Sequence, residues 1–180
     1  MSASSPIVTS RLRLELLFAE TLDALLTRET KSAVRIQGLN LSGPFLQSVD
    51  DRFLRIQVER IRARPSRRSW CIRAIVRDED DTVIGHSGFH GPPEDVGRAE
   101  IGYNVLEPYR RNGYATEAVQ SLVDWARRQG ERVVYASISP NNSASVGVVT
   151  KLGFRHTGVQ DDEVDGEEYV FELDLRSTVV

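Results

Sequence analysis

Val105-Leu106-Glu107-Pro108-Tyr109-Arg110-Arg111-Asn112-Gly113-Tyr114-Ala115-Thr116-Glu117-Ala118 carries the end of an apolar strand pattern through a short loop into the strongest helix pattern of the chain. Ala115, Ala118, Val119, Leu122, Val123 and Ala126 fall on one helical stripe, and Gly130 stands where a C′ glycine ends a helix. The loop favours an anion. First-turn N–H groups have no partner inside a helix, and the helix dipole adds partial positive charge at that end. Gly113 lets an anion approach the backbone closely, and Arg110 and Arg111 add charge-assisted donors. On local physics alone, a solvated arginine pair at an ordinary helix start explains the same residues equally well. The chain has no G-x-x-x-x-G-K-[ST] and no Gly-x-Gly, which argues against a P-loop or a Rossmann fingerprint.

Working outward, Arg98 to Val105 is a short strand leading into the loop, and Arg132 to Ile138 is an apolar, β-rich strand after the helix. Ser143 to Leu152 reads as a second helix with Gly153 at C′. Phe154 to Val159 and Tyr169 to Leu175 are strands joined by an acidic turn containing Asp165-Gly166. Upstream, Trp70 to Val76 and Thr82 to His90 form a hairpin around Asp78-Glu79-Asp80-Asp81. Ile7 to Leu16 alternates as one amphipathic strand, Glu20 to Glu29 is helical, and Leu46 to Arg62 is helical again until Pro65. Gly38, Gly43 and Pro44 break any regular element between residues 30 and 45. The order predicts a mixed α/β (α+β) sheet rather than a doubly wound alternation.

The chain has 180 residues and a formal net charge of -3, with one cysteine, 40% hydrophobic and 27% charged residues. That length suits one domain, expected over residues 7–176 behind a loose tail at 1–6. The composition excludes collagen-like, coiled-coil and wholly disordered chains. No apolar run spans a membrane and no secretory signal is present, so a cytoplasmic protein is expected. A lone Cys71 allows no internal disulfide or multi-cysteine zinc site, and His86, His90 and His156 lack metal-ligand spacing.

Arg110-x-x-Gly113-x-Ala115, entering a helix directly from a strand, resembles the acyl-CoA motif Gln/Arg-x-x-Gly-x-Gly/Ala of the GNAT superfamily of N-acetyltransferases. Thr9-Ser10-Arg11-Leu12-Arg13-Leu14, Glu100-Ile101-Gly102-Tyr103 and Gly113-Tyr114-Ala115-Thr116-Glu117-Ala118 look like the branch that includes the ribosomal-protein N-terminal acetyltransferases. Asn142-x-x-Ser145 followed by Lys151-Leu152-Gly153-Phe154 resembles the second cofactor motif. The likeness runs from about Thr9 to Leu175 and is thin between Lys31 and Arg68.

The resemblance implies a mostly antiparallel sheet of about seven strands with flanking helices and a splayed central strand pair. It implies direct transfer of an acetyl group from acetyl-CoA to a primary amine. A protein N-terminal amine is one acceptor class and a small-molecule amine the alternative. A non-catalytic acyl-CoA-binding module is the rival reading. A monomer or homodimer is expected, and no nucleic-acid or membrane partner. Tyr103, Asn104 and Val105 would give main-chain contacts to pantetheine. Arg110 and the N–H groups of Arg111, Asn112, Gly113, Tyr114, Ala115 and Thr116 would hold the pyrophosphate. Asn142 would bond the cofactor, or cap the helix it precedes. A main-chain N–H near Tyr103 to Val105 would polarise the thioester carbonyl.

Proton transfer needs a base, because an α-amine has a pKa of about 7.7–8.0 and a lysine about 10.4. Glu100 is the candidate base, against a surface glutamate paired with arginine. The usual acid tyrosine is replaced by Val149, so Ser145 is the candidate acid, against a serine bonding its own helix. Cys71 reads as structural, and His86 and His90 share one strand face beside the cleft the resemblance implies, as an acceptor-side pair or as plain surface or core histidines. Arg52, Arg55, Arg60, Arg62, Arg64, Arg67 and Arg68 read as a solvated helix face near a cofactor phosphate or an anionic acceptor, rather than as a nucleic-acid surface. The acidic hairpin Asp161 to Glu168 would attract a cationic acceptor, or is a plain solvated turn.

Overall fold

The computed structural model describes residues 5–41, 43–93, 98–164 and 166–176. The chain opens with β1 (Ile7–Val8) and β2 (Leu12–Leu16), then α1 (Ala19–Leu26), α2 (Thr30–Gln37), α3 (Gly43–Gln47) and α4 (Asp51–Ala63). A 3-10 turn at Pro65–Trp70 leads to β3 (Ile72–Arg77), β4 (Thr82–Phe89) and β5 (Ala99–Val105). The remainder is α5 (Tyr114–Arg128), β6 (Val133–Ile138), α6 (Ser143–Lys151), β7 (Arg155–Asp162) and β8 (Gly166–Asp174).

The strands form one eight-stranded sheet in the order β1-β2-β3-β4-β5-β6-β8-β7. The eighth strand arises because Ile7 to Leu16 is two strands. Thr9 makes the turn: its N–H donates to the Leu12 carbonyl at 2.9 Å, and its hydroxyl accepts the Leu12 N–H at 3.0 Å. Side-chain turn chemistry overrides alternation there. Two short helices form across residues 30–47: α2 stops at Gly38 with φ of 75°, and Gly43 and Pro44, rather than breaking structure, begin α3. The helix expected from Leu46 starts at Asp51, because the Asp50 side chain caps it by accepting the Phe53 N–H at 2.7 Å. The hairpin residue Asp165 and tail residues 1–4 lie outside the described residues.

Two apolar layers sandwich the sheet. On one face α5 buries Ala118, Val119, Leu122, Val123 and Ala126 against Leu14, Ile75, Ile84, Ile101 and Val134. On the other, α1 and α4 bury Leu22, Leu25, Leu54 and Val58 against Ala74, Val76 and Val83. Among the described residues no helix is long and apolar enough to cross a membrane.

The central pair positions the site. β5 and β6 run parallel but, among the described residues, pair only at Ala99↔Val134 and Glu100↔Tyr135. Beyond Glu100, β5 continues beside β4 to Val105, while β6 follows β8 to Ile138. The strands therefore part after Glu100, leaving a V-shaped cleft in the sheet.

Candidate active site

Strand alternation decides which main-chain groups face this cleft. The His90 N–H donates to the Glu100 carbonyl at 2.9 Å, and the Leu106 N–H to the Ile84 carbonyl at 2.8 Å. With the register Gly85↔Val105 through Phe89↔Ile101, the amides of Glu100, Gly102 and Asn104 belong to the β4 ladder. Those of Ile101, Tyr103 and Val105 point the other way, toward β6: Ile101 at the last paired rung, Tyr103 and Val105 into the cleft. The Leu175 N–H donates to the Arg132 carbonyl at 2.7 Å, so on β6 it is Ser137 that faces the cleft. Of the three residues expected to offer main chain here, Tyr103 and Val105 do so. Asn104 turns its main chain to β4, and its side-chain amide donates to the Ser48 carbonyl at 3.3 Å. The Val105 carbonyl is taken by Arg110 Nε at 2.8 Å, which leaves its N–H.

At the wide end of the cleft, the loop into α5 is wound tightly. Arg111 has φ of 63° and Gly113 has φ of 80°, both left-handed. A non-glycine residue in that region costs on the order of 1 kcal/mol, so the turn at Arg111 is held by its surroundings. The Asn112 amide folds back onto the Arg110 carbonyl at 2.9 Å. Gly113 is the N-cap of α5, and no side chain caps the helix. The first-turn amides of Tyr114, Ala115 and Thr116 thus face out with the dipole behind them.

The acid in that first turn, Glu117, is neutralised locally. It accepts the Thr9 hydroxyl at 2.6 Å and the Ser10 hydroxyl at 3.1 Å, and pairs with Arg11 at 2.6 Å. Burial alone would raise its pKa, but the bonds from Thr9 and Arg11 outweigh burial and lower it. The Arg11 guanidinium also lies over the Tyr114 ring, 4.6 Å from its centroid, and donates to the Asn112 carbonyl at 3.1 Å. Arg11 therefore adds a cation beside the loop, and sequence reasoning did not single it out.

At the narrow end, Glu100, Tyr135 and Ser137 project from the sheet face opposite α5. The Tyr135 hydroxyl donates to Glu100 at 3.2 Å, and His90 Nδ1 lies 3.3 Å from the same carboxylate. Burial pushes Glu100 upward, but the hydrogen bond and charge of His90, with the Ser137 and Tyr135 hydroxyls, outweigh it and hold the pKa below its ordinary value. Burial first, then Glu100, pushes the Tyr135 phenol up to about 12. Glu100 is therefore an anion at neutral pH, and Tyr135 a donor. With Nδ1 turned to the carboxylate, Nε2 is the ring nitrogen left to exchange a proton with a substrate. A Cβ on Gly102 would overlap that Nε2, so the glycine is what lets the ring lie over β5 where the strands part.

These groups open into a cavity of about 310 Å³. Arg60 and Arg64 from the end of α4, Arg67 from the following turn, and Arg98 line it together with Glu100 and His90. Cys71 lies in its floor, buried, with its thiol pushed up to about 11 by that burial, so it is no nucleophile at neutral pH. Among the described residues, those of the acidic hairpin do not line this cavity. Among the described residues no three His, Cys, Asp or Glu side chains stand together as metal ligands.

His86, on the same strand face as His90, has a structural partner instead. Its Nε2 donates to the Ser48 carbonyl at 3.2 Å, and Phe45 and Phe53 flank the ring. Burial lowers its pKa from 6.5 to about 4. The unfolded chain thus binds the extra proton between those values, so this contribution to stability is intact above pH 6.5 and lost as pH falls through 4. At 1.36 kcal/mol per pKa unit the loss is ~3 kcal/mol. Chemical denaturation of wild type and His86→Gln from pH 7 to 4 checks it: the variant is expected to have a flatter profile, and parallel profiles would refute the assignment.

Ser145 stands at the start of α6, on the far side of the cleft from β5. Its N–H is capped by the Asn142 side chain at 3.1 Å, and its carbonyl accepts the Tyr103 hydroxyl at 3.1 Å. Asn142 is thus the helix cap, and Tyr103 ties β5 to α6 across the cleft. Val149 is fully buried in the core. The arrangement brings Tyr103 and Ser145 together, with Glu100 on the opposite sheet face.

Residues 11–155 match the acetyltransferase (GNAT) domain family. The uncharacterized N-acetyltransferase YjdG of Bacillus subtilis is 29% identical over 152 residues, covering 81% of this chain and 87% of that protein. The L-methionine sulfoximine/L-methionine sulfone acetyltransferase of Pseudomonas aeruginosa is 36% identical over 104 residues, covering 56% of this chain and 59% of that protein. Among solved structures, the ribosomal L7/L12 α-N-protein acetyltransferase RimL in complex with coenzyme A superposes with a TM-score of 0.65 at 19% identity, covering 94% of this chain and 98% of that one. That last likeness speaks for the fold alone. With its splayed strands, its glycine-led helix and a family match across most of its length, the chain belongs to the GNAT superfamily and is an N-acetyltransferase.

Proposed function

We propose that this enzyme moves the acetyl group of acetyl-CoA directly to a primary amine held in the Glu100 cavity. The observation that carries the reading is continuity: one unpaired strand edge, Tyr103 to Val105, runs from the uncapped α5 N-terminus to the cavity at the cleft's apex. The residues suit the cosubstrate. The amides of Arg111 to Thr116, with Arg110 and Arg11, present donors and positive charge to a pyrophosphate. The cleft-facing amides of Tyr103 and Val105 suit pantetheine and the acyl oxygen.

Acetyl-CoA supplies the activated thioester: the amine nitrogen bonds to its acyl carbon and the carbon–sulfur bond breaks. The chain's own residues manage the protons. His90 Nε2 takes one from the attacking amine, and the Glu100 carboxylate holds the ring's tautomer and stabilises the resulting imidazolium. Ser145 gives its hydroxyl proton to the leaving sulfur and regains one from water, as His90 returns the amine's proton to solvent, and Tyr103 fixes the helix that carries Ser145. Asn142 serves by capping α6.

Relatives differ in acceptor. RimL is named for a protein α-amine and the Pseudomonas enzyme for an amino-acid derivative; both are primary amines. The test is acetyl-CoA titration by calorimetry, followed by thiol release with L-amino acids, spermidine and an alanine-initiated tripeptide. Saturable binding with amine-dependent thiol release is expected. Binding without release with any amine would overturn the cavity assignment, and absence of binding would overturn the cofactor path.

A further inference from the structure

We propose that the acceptor is a small α-amino acid whose free carboxylate rests on Arg60, in the wall of the cavity that Glu100 also lines. The proposal rests on the acetyl-transfer reading and narrows its acceptor. Among the described residues four guanidinium groups line the cavity, and Glu100 is the carboxylate that lines it with them. Arg98 is already engaged: it pairs with Glu172 and lies over the Tyr135 ring, 4.3 Å from its centroid. Arg64 and Arg67 have partners of their own. Arg60 differs from them. It makes no ion pair among the described residues, and its side chain lies along Gly91, with Nε 3.4 Å from where a Cβ would stand.

That charge pattern selects among amines. A polyamine or a lysine side chain brings only positive charge, and nothing in it complements the Arg60 guanidinium. An α-amino acid brings an amine for the Glu100–His90 end and a carboxylate for Arg60, whose planar fork matches a carboxylate. A peptide N-terminus has an amide where the amino acid has its carboxylate, so it leaves Arg60 uncompensated. At about 310 Å³ the cavity falls at the small end of small-molecule sites.

The experiment compares each of the common L-amino acids with its C-terminal amide as acceptor, by thiol release at saturating acetyl-CoA, for the wild type, Arg60→Gln and Arg60→Lys. Acetyl-CoA affinity is measured by calorimetry in parallel. At least one free amino acid is expected to exceed its amide in kcat/KM by about 10- to 100-fold, the effect of a charge-assisted hydrogen bond. Arg60→Gln is expected to bring that ratio near one through KM, and Arg60→Lys to retain part of it. Amides equal to or better than their acids, or a ratio that Arg60→Gln leaves unchanged, would overturn the proposal. Failure of every acid and amide would also overturn it, while the transfer reading stands if the alanine-initiated tripeptide is acetylated. Loss of acetyl-CoA binding in the wild type would mark failure of the transfer reading itself.

Discussion

Gly113→Asp is expected to abolish acetyl-CoA binding while leaving the protein folded. The backbone at Gly113 has φ of 80°, a region that aspartate tolerates better than most residues. A Cβ there would meet nothing nearer than the Arg11 guanidinium at 3.5 Å. Gly113 is also the N-cap of α5, where an aspartate side chain accepts first-turn N–H groups and stabilises a helix. The strain and the cap therefore offset one another, each at about 1 kcal/mol. The same carboxylate occupies the donors proposed for the pyrophosphate and repels it. Affinity is expected to fall by more than about 100-fold, or ~3 kcal/mol. Gly113→Asn separates the parts, since it caps without charge and is expected to lose less. Calorimetry on both variants, with thermal unfolding as the control for folding, decides the matter. An aspartate variant that binds within about threefold of wild type would place the phosphates elsewhere.

The loop at Gly113 was legible because its signal is local. A strand end, a glycine and a helical stripe lie within a few residues, and the structure puts the glycine at the cap. The strands of the sheet were legible for the same reason, save where Thr9 turned one strand into two. What stayed hidden depends on pairing between distant segments. Arg11 and Glu117 meet across 106 residues, and nothing in either segment announces the other. His86 and His90 share a strand face, yet one meets the Ser48 carbonyl and the other Glu100. Only the register of β4 on β5, and the packing of the loop before α4, separates their roles. Arg60, Arg64 and Arg67 follow helical spacing in the sequence, but which face they show to the cleft depends on how α4 docks. The alternation that removes the Asn104 amide from the cleft also follows from register, which a one-residue slip would invert.

Glu100→Gln is expected to lower kcat by about 100- to 10,000-fold near pH 7 with acetyl-CoA affinity unchanged, the range for loss of acid–base catalysis, here by the His90–Glu100 pair. Glutamine keeps the size of the side chain but cannot stabilise an imidazolium at His90. The carboxylate's pKa is held below its ordinary value by His90, Ser137 and Tyr135, so the wild type keeps the anion throughout the neutral range. The deficit of the variant is therefore expected to shrink as pH rises past about 8, where an α-amine sheds its own proton. Gly102→Ala tests the same pair from the other side. Its Cβ would displace His90 Nε2, and a loss of kcat is expected although the carboxylate remains. If Glu100→Gln stays within about threefold of wild type from pH 6 to 9, the carboxylate does not serve the proton transfer and its contacts are structural. If Glu100→Gln is impaired but Gly102→Ala is not, the carboxylate takes the proton without the imidazole. Impairment of both, with the Glu100→Gln deficit shrinking toward high pH, is the pattern that a carboxylate acting through His90 requires.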